Sequence, residues 1–290
     1  MKVVLPTMSL RLKTFLDPRD AICFAVIMVF AALVSAPAVA APIGVRSPEG
    51  ATHGFLLVRS LTGEIIGHGE LTQVVKEGDL VESRLVFRFK DGSLHDEKVA
   101  FSQQRVFTLI RYHLVQRGPS FPDQLDVSMD RSTAQYTVRS KAGEDRKEEV
   151  VTGAFDLPKD AYNGMVVTML LNLPKGASET VNFLAFTPKP EVIKLELLLM
   201  GEHTVRIGDL SRKAVQYVFK PDIGMIRELV GKATGKIPAQ FHYDCWILAD
   251  EVPSFVRFEG PLQLMGQIVR IELMSPRLPA KPEDEKISSK

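Results

Sequence analysis

Residues 156–173 read DLPKDAYNGMVVTMLLNL, and this stretch is the best helix candidate in a chain otherwise patterned for strands. Asp160 is the predicted N-cap, and Pro174 with Gly176 predicts the end of a helix near residues 160–173. Its apolar residues recur at the i, i+3, i+4, i+7 spacing of one helical face, namely Tyr162, Met165, Val166, Met169, Leu170 and Leu173. One helix among many strands indicates a sheet that wraps around it.

The rest of the chain carries strand patterns. Residues 80–90 are the clearest case, because apolar and charged residues alternate with a period of two and Asp91-Gly92 follows as a hairpin turn. About a dozen such segments recur at roughly 10-residue spacing, with no repeated β-α-β alternation. We therefore predict a mainly β fold: a strongly curved antiparallel sheet, an open or half barrel, wrapped around one central helix.

The N-terminus has the pattern of an export signal. Four basic residues lie near an apolar run at residues 21–34, and Ala38-Val39-Ala40 is a small-residue cleavage site. We predict a signal peptide at 1–40, a linker at 41–52, a β-rich domain at 53–275 and a disordered tail at 276–290. The protein is then exported, periplasmic or extracellular, and not integral to the membrane after cleavage. An uncleaved anchor is the alternative.

The charge balance and the cysteine content limit the classes of partner and of covalent cross-link that the sequence allows. The first 40 residues carry four of the 36 basic and two of the 35 acidic side chains, so the other 250 residues have a formal net charge of −1. This balance and the absence of aromatic–basic interleaving predict no nucleic-acid partner. Cys245 is the one cysteine left after cleavage, which predicts no internal disulfide and a buried thiol.

Local signatures of common catalysts are missing, including the nucleophile elbow, the H-E-x-x-H helix and the phosphate-binding loop. Two short pairs, His95 with Glu97 and His242 with Asp244, offer nitrogen and oxygen ligands if the fold brings them together. Pairs of this kind at a hairpin are usually solvated surface. We predict no catalytic residue, no metal and no cofactor, and an enzyme is the less favoured class.

Apolar side chains suggest a different kind of site. Phe87 and Phe89 belong to an aromatic stripe that is either core or the lining of a pocket, and methionines adapt well to irregular apolar ligands. The residues predicted to line a ligand site are Phe87, Phe89, Tyr162, Met165 and Met169.

The export signal, the strand pattern and the mid-chain helix together resemble the bacterial periplasmic lipoprotein-carrier proteins and their half-barrel relatives. The resemblance is architectural, covers most of residues 52–275 and rests on no short motif. It implies an incomplete barrel whose apolar concavity takes acyl chains. The leading hypothesis is an exported, non-enzymatic protein that binds a lipid or other apolar molecule between sheet and helix. The alternatives are an envelope structural or interaction module with an envelope protein partner, and a hydrolase or metal-dependent enzyme.

Overall fold

The computed structural model describes residues 40, 42–141, 147–186, 189–207, 209–222, 243–263 and 266–274. The predicted signal segment, apart from Ala40, lies outside the described residues, and so does the predicted tail. Residues 223–242, which include His242, also lie outside the described residues. Cleavage after Ala40 stays a prediction.

Strands dominate the described residues, which contain one α-helix, α1 at Val166–Asn172, and a single 3-10 turn at Glu77–Asp79. The strands are β1 (Thr52–Arg59), β2 (Ile65–Lys76), β3 (Leu80–Phe89), β4 (Leu94–Gln103), β5 (Phe107–Arg117), β6 (Gln124–Asp130), β7 (Gln135–Lys141), β8 (Glu148–Ala154), β9 (Ala161–Tyr162), β10 (Glu179–Phe186), β11 (Pro190–Ile207), β12 (Leu210–Pro221), β13 (Tyr243–Leu248), β14 (Phe255–Pro261) and β15 (Ile268–Leu273). The mainly β class is confirmed.

All of these strands belong to one sheet with the order β8-β7-β6-β5-β4-β3-β2-β1-β15-β14-β13-β12-β11-β10-β9. Every pairing is antiparallel except the short parallel one between β9 and β10. The sheet is open, because β8 and β9 stand at opposite ends of this order. The first and last strands meet in its middle, where Leu56 of β1 pairs with Leu273 of β15. The prediction of an open antiparallel sheet with one helix is therefore confirmed, while the wrapping of the sheet around that helix stays a prediction.

The turn between β3 and β4 shows how local sequence sets the register. Gly92 has a φ of 85°, which suits glycine, and the backbone N–H of Ser93 donates to the Asp91 side chain at 2.8 Å. The flanking strands then pair from Leu80 opposite Ser102 to Arg88 opposite Leu94. The predicted Asp-Gly hairpin is confirmed.

The helix is shorter than predicted. Residues 161–162 form strand β9 instead, and Gly164, with a φ of 67°, separates that strand from α1. Asp160 is not the N-cap: its Oδ2 accepts a 2.6 Å hydrogen bond from the Asn182 amide, and Met165 occupies the N-cap position without a side-chain bond. The prediction of helix across 160–173 was wrong at its start because pairing with β10 outcompeted the helical pattern.

Charged residues cluster at 142–149, a pattern that predicts a solvated turn, but the structure has a strand that begins inside this segment. Residues 142–146 lie outside the described part, but Glu148 and Glu149 begin strand β8. This strand pairs along its whole length with β7, with Val151 opposite Val138. Val150 and Val151 follow the charged residues, and β-branched side chains of this kind favour a strand. The charged residues before them had indicated a turn.

Buried apolar side chains form two clusters. The larger cluster includes Met165, Met169 and Leu170 of the helix region and side chains from both halves of the sheet. The smaller cluster consists of Leu56, Val58, Phe87, Phe89, Phe121, Val269 and Ile271. Cys245 is a free, buried thiol, and its burial raises its pKa, which makes it unreactive. Within the described ranges, no helix has the length and apolar character needed to cross a bilayer.

Candidate functional site

The residues predicted to line a ligand site divide between the two clusters. Tyr162, Met165 and Met169 belong to the larger cluster and are 0%, 2% and 0% exposed. Phe87 and Phe89 belong to the smaller one and are also buried. The structure therefore groups the three helix-side residues and separates them from the two phenylalanines. Their role in ligand binding stays a prediction.

Both clusters nevertheless lie on the same face of the sheet, here called the inner face. Val81 and Phe87 of β3 are six residues apart, so their side chains point to the same side of the strand. Val81 belongs to the larger cluster and Phe87 to the smaller one. On β3, one face thus carries side chains of both clusters.

Half-buried apolar side chains connect the two clusters. Phe255 and Phe258 pack against both of them, and Leu71 and Leu85, which are register partners on β2 and β3, pack against the smaller one. We call these four residues the inner-face band. Beside the larger cluster, Leu171 of the helix is likewise only half-buried. The band is an apolar surface that the other described residues leave partly uncovered.

A polar pair lies beside this surface. The Tyr112 hydroxyl donates a 2.8 Å hydrogen bond to Oε1 of Glu97, and the Tyr112 ring stacks on Phe186 at a centroid distance of 5.8 Å. Burial raises the pKa of the Glu97 carboxyl, and the hydrogen bond from Tyr112 opposes that rise. Gly164 covers the pair: a Cβ at this position would lie 3.1 Å from Cδ of Glu97. The pair is a shielded acid next to the apolar surface.

A second polar group lies under the smaller cluster. Nε2 of Gln116 donates to Nδ1 of His95 at 3.0 Å and to the Leu262 carbonyl at 2.7 Å. The imidazole also contacts the rings of Phe87 and Phe121, at centroid distances of 5.6 and 6.3 Å. Burial lowers the pKa of His95 to about 4, while the Asp96 charge opposes this shift. The imidazole is therefore neutral at pH 7, with its proton on Nε2, and its environment is that of a packed core residue.

Of the two pairs that suggested a zinc site, the described members are His95, Glu97 and Asp244, and these three do not converge. His95 and Glu97 share a strand face as expected, but each has its own partner, Gln116 and Tyr112 respectively. Asp244 accepts a 2.7 Å hydrogen bond from Gln216, and because its neighbour Cys245 is buried in the larger cluster, Asp244 points to the opposite face. No group of three metal-binding side chains occurs in the described part of the chain.

A shallow, solvent-open cleft with room for about one water molecule lies at the edge of the smaller cluster. Its lining includes Phe89, Ser120, Phe121, Leu262, Gln263 and Val269. Oε1 of Gln263 is buried there without a hydrogen-bond partner in the described residues, while its amide donates to the Asp123 carbonyl. Of the predicted ligand residues, only Phe89 lines this cleft. Sequence patterns gave no signal for it, because its walls come from segments about 140 residues apart.

Comparisons with protein-family models, with curated proteins and with solved structures gave no match to this chain. The resemblance to lipoprotein carriers therefore stays an expectation.

Proposed function

We propose that the protein is an exported, non-enzymatic binding protein that holds an acyl chain or another apolar molecule against the inner-face band. The observation that supports this most directly is the partial exposure of Phe255 and Phe258, which pack against both clusters yet are covered by neither. Exposed aromatic surface between two packed clusters is the kind of surface that an apolar ligand covers.

The proposed arrangement has the sheet curving around α1. Strand β9, at one end of the strand order, lies against β5, and the Tyr162 hydroxyl accepts a 3.0 Å hydrogen bond from the Ile43 N–H. No residue of α1 is exposed, and Met169 and Leu170 are 0% and 1% accessible. These contacts support a sheet that bends back toward the helix and leaves an apolar surface between them.

Binding would follow from desolvation. An acyl chain gains about 0.8 kcal/mol for each methylene group that it buries, so a chain that covers the band can bind with few polar contacts. The Glu97–Tyr112 pair could orient a ligand head group, because Glu97 is the register partner of Leu85 in the band. The proposal requires no reaction at this pair.

Mass spectrometry of lipid extracted from protein purified from its native envelope tests the proposal. We expect bound acyl lipid, and saturable binding of a fluorescent fatty acid by the delipidated protein. Phe255→Ser and Phe258→Ser should weaken that binding by about tenfold each, because each removes an aromatic contact. Phe55→Ser is the matched control, since Phe55 is 49% exposed and outside the band. Absence of both copurified lipid and saturable binding would contradict the proposal.

Export is part of the same proposal. N-terminal sequencing of the purified protein should give a chain that starts at or next to residue 41. A chain that keeps its first residues would support the anchored alternative.

A further inference from the structure

The hairpin between β11 and β12 extends beyond the rest of the sheet. Strand β10 pairs with β11 only as far as Glu179 opposite Leu197, and β13 pairs with β12 only as far as Leu248 opposite Ala214. The register of β11 with β12 continues to Ile207 opposite Leu210. Residues 202–207 and 210–213, here called the ribbon, therefore have no neighbouring strand on either side in the described part of the chain.

Two aliphatic side chains stand at the end of this ribbon. Ile207 and Leu210 are 47% and 59% exposed. They are register partners, so they lie side by side on the same face of the hairpin. Val205, on the same face, is half-buried, and the other residues of the ribbon are exposed. Nothing in the described chain covers the apolar pair.

The charges around this pair are mainly basic. Arg212 lies on the same face as the aliphatic pair, two residues from Leu210, whereas Arg206 precedes Ile207 and points to the opposite face of the ribbon. Neither arginine has an ion-pair partner among the described residues. Lys213, at the base of the ribbon, pairs with Glu202 at 3.3 Å, and Asp209 in the turn is the one other acidic group. The end of the ribbon thus combines exposed aliphatic side chains with two unpaired arginines, although the chain after residue 40 has a formal net charge of −1.

We infer that the ribbon is a membrane-contact element, whose Ile207 and Leu210 enter the head-group region of an anionic bilayer while Arg206 and Arg212 bind lipid phosphates. A narrow two-stranded tip buries little area against a folded partner, whereas aliphatic side chains flanked by arginines suit the boundary between acyl chains and head groups. This inference is independent of the proposed ligand site, because the ribbon lies beyond the inner-face band.

Flotation of the purified full-length protein with lipid vesicles tests the inference. We expect the protein to float with vesicles that contain phosphatidylglycerol, less with pure phosphatidylcholine, and less at high salt. The double variant Ile207→Ser/Leu210→Ser should lower the partition coefficient at least about tenfold. Arg206→Gln/Arg212→Gln should abolish the preference for the anionic vesicles and its salt dependence.

Leu61→Ser is the matched control, because Leu61 is 54% exposed in the turn between β1 and β2. It should float like the wild type, and circular dichroism should show that every variant keeps its strands. Failure of the wild type to float with anionic vesicles would overturn the inference, as would equal losses in Leu61→Ser. Fatty-acid binding measured on the same variants separates this result from the proposed function, since ribbon variants should bind the fatty acid normally.

Discussion

The Tyr112 hydroxyl and the Glu97 carboxyl form a 2.8 Å hydrogen bond on the inner face of the sheet, joining β5 to β4 through their side chains. Tyr112 is 3% exposed, so its hydroxyl has little access to water as a substitute partner. A polar pair in such a place is stabilising only while both members are present.

Tyr112→Phe should therefore destabilise the fold by about 1–3 kcal/mol, because it leaves a shielded carboxyl without its donor. Urea unfolding at pH 7 measures the change. Tyr136→Phe is the control, since Tyr136 is 8% exposed and its hydroxyl makes no hydrogen bond within the described residues. Equal losses in the two variants would show that the hydroxyl of Tyr112 has no special role.

Glu97→Gln should change the pH dependence of stability. Burial raises the pKa of Glu97 above its ordinary 4.5, so as pH rises the carboxyl ionises in the unfolded chain before it does so in the folded protein. The wild type therefore loses stability relative to the variant as pH increases above about 4.5, and the two converge at lower pH. Unfolding free energies at several pH values test this, with the exposed Glu64→Gln as the control. A constant difference between wild type and variant would contradict it.

His95 should make the fold sensitive to mild acid. Burial lowers the pKa of His95 from 6.5 to about 4. Between these two pH values His95 is therefore protonated in the unfolded chain but neutral in the folded protein. The contribution of His95 to stability is constant above about pH 6.5 and should fall as the pH drops toward 4, by on the order of 3 kcal/mol. His95→Gln should remove most of this slope, whereas substitution of the exposed His68 by Gln should leave it unchanged. Identical slopes in the wild type and His95→Gln would refute the assignment.

Gly164 should tolerate no side chain. Its φ of 67° disfavours other residues, and an added Cβ would lie 2.4 Å from Cγ2 of Val99. Gly176 has a similar φ of 76° but open space around it. Gly176→Ala should cost about 1 kcal/mol from backbone strain alone, and Gly164→Ala at least about 2 kcal/mol more, from the clash with Val99. Thermal unfolding of both variants separates the two contributions, and equal costs would indicate that the turn moves freely.

Local sequence was sufficient to predict most of the strands. Residues 80–90 were predicted as a strand and β3 spans Leu80–Phe89, because period-two alternation and the Asp-Gly turn act over a few residues. The helix start was predicted wrongly because the pairing of Tyr162 with Phe183 comes from the tertiary fold. The same holds for the site: no pattern near His95 could indicate Gln116 as its partner, or Leu262 as the carbonyl that holds Gln116 in place.

The pairing of β1 with β15 also has a consequence for assembly. Strands β1 to β8 are sequential neighbours in the sheet, and so are β9 to β15. Among the described residues, the only ladder between these two groups pairs Leu56–Arg59 with residues 270–273. During synthesis from the N-terminus, β1 keeps an unsatisfied backbone edge until the segment that forms β15 has been made. A chain truncated before residue 268 would leave two half-sheets with open edges, which are sites for aggregation or for capture by a chaperone.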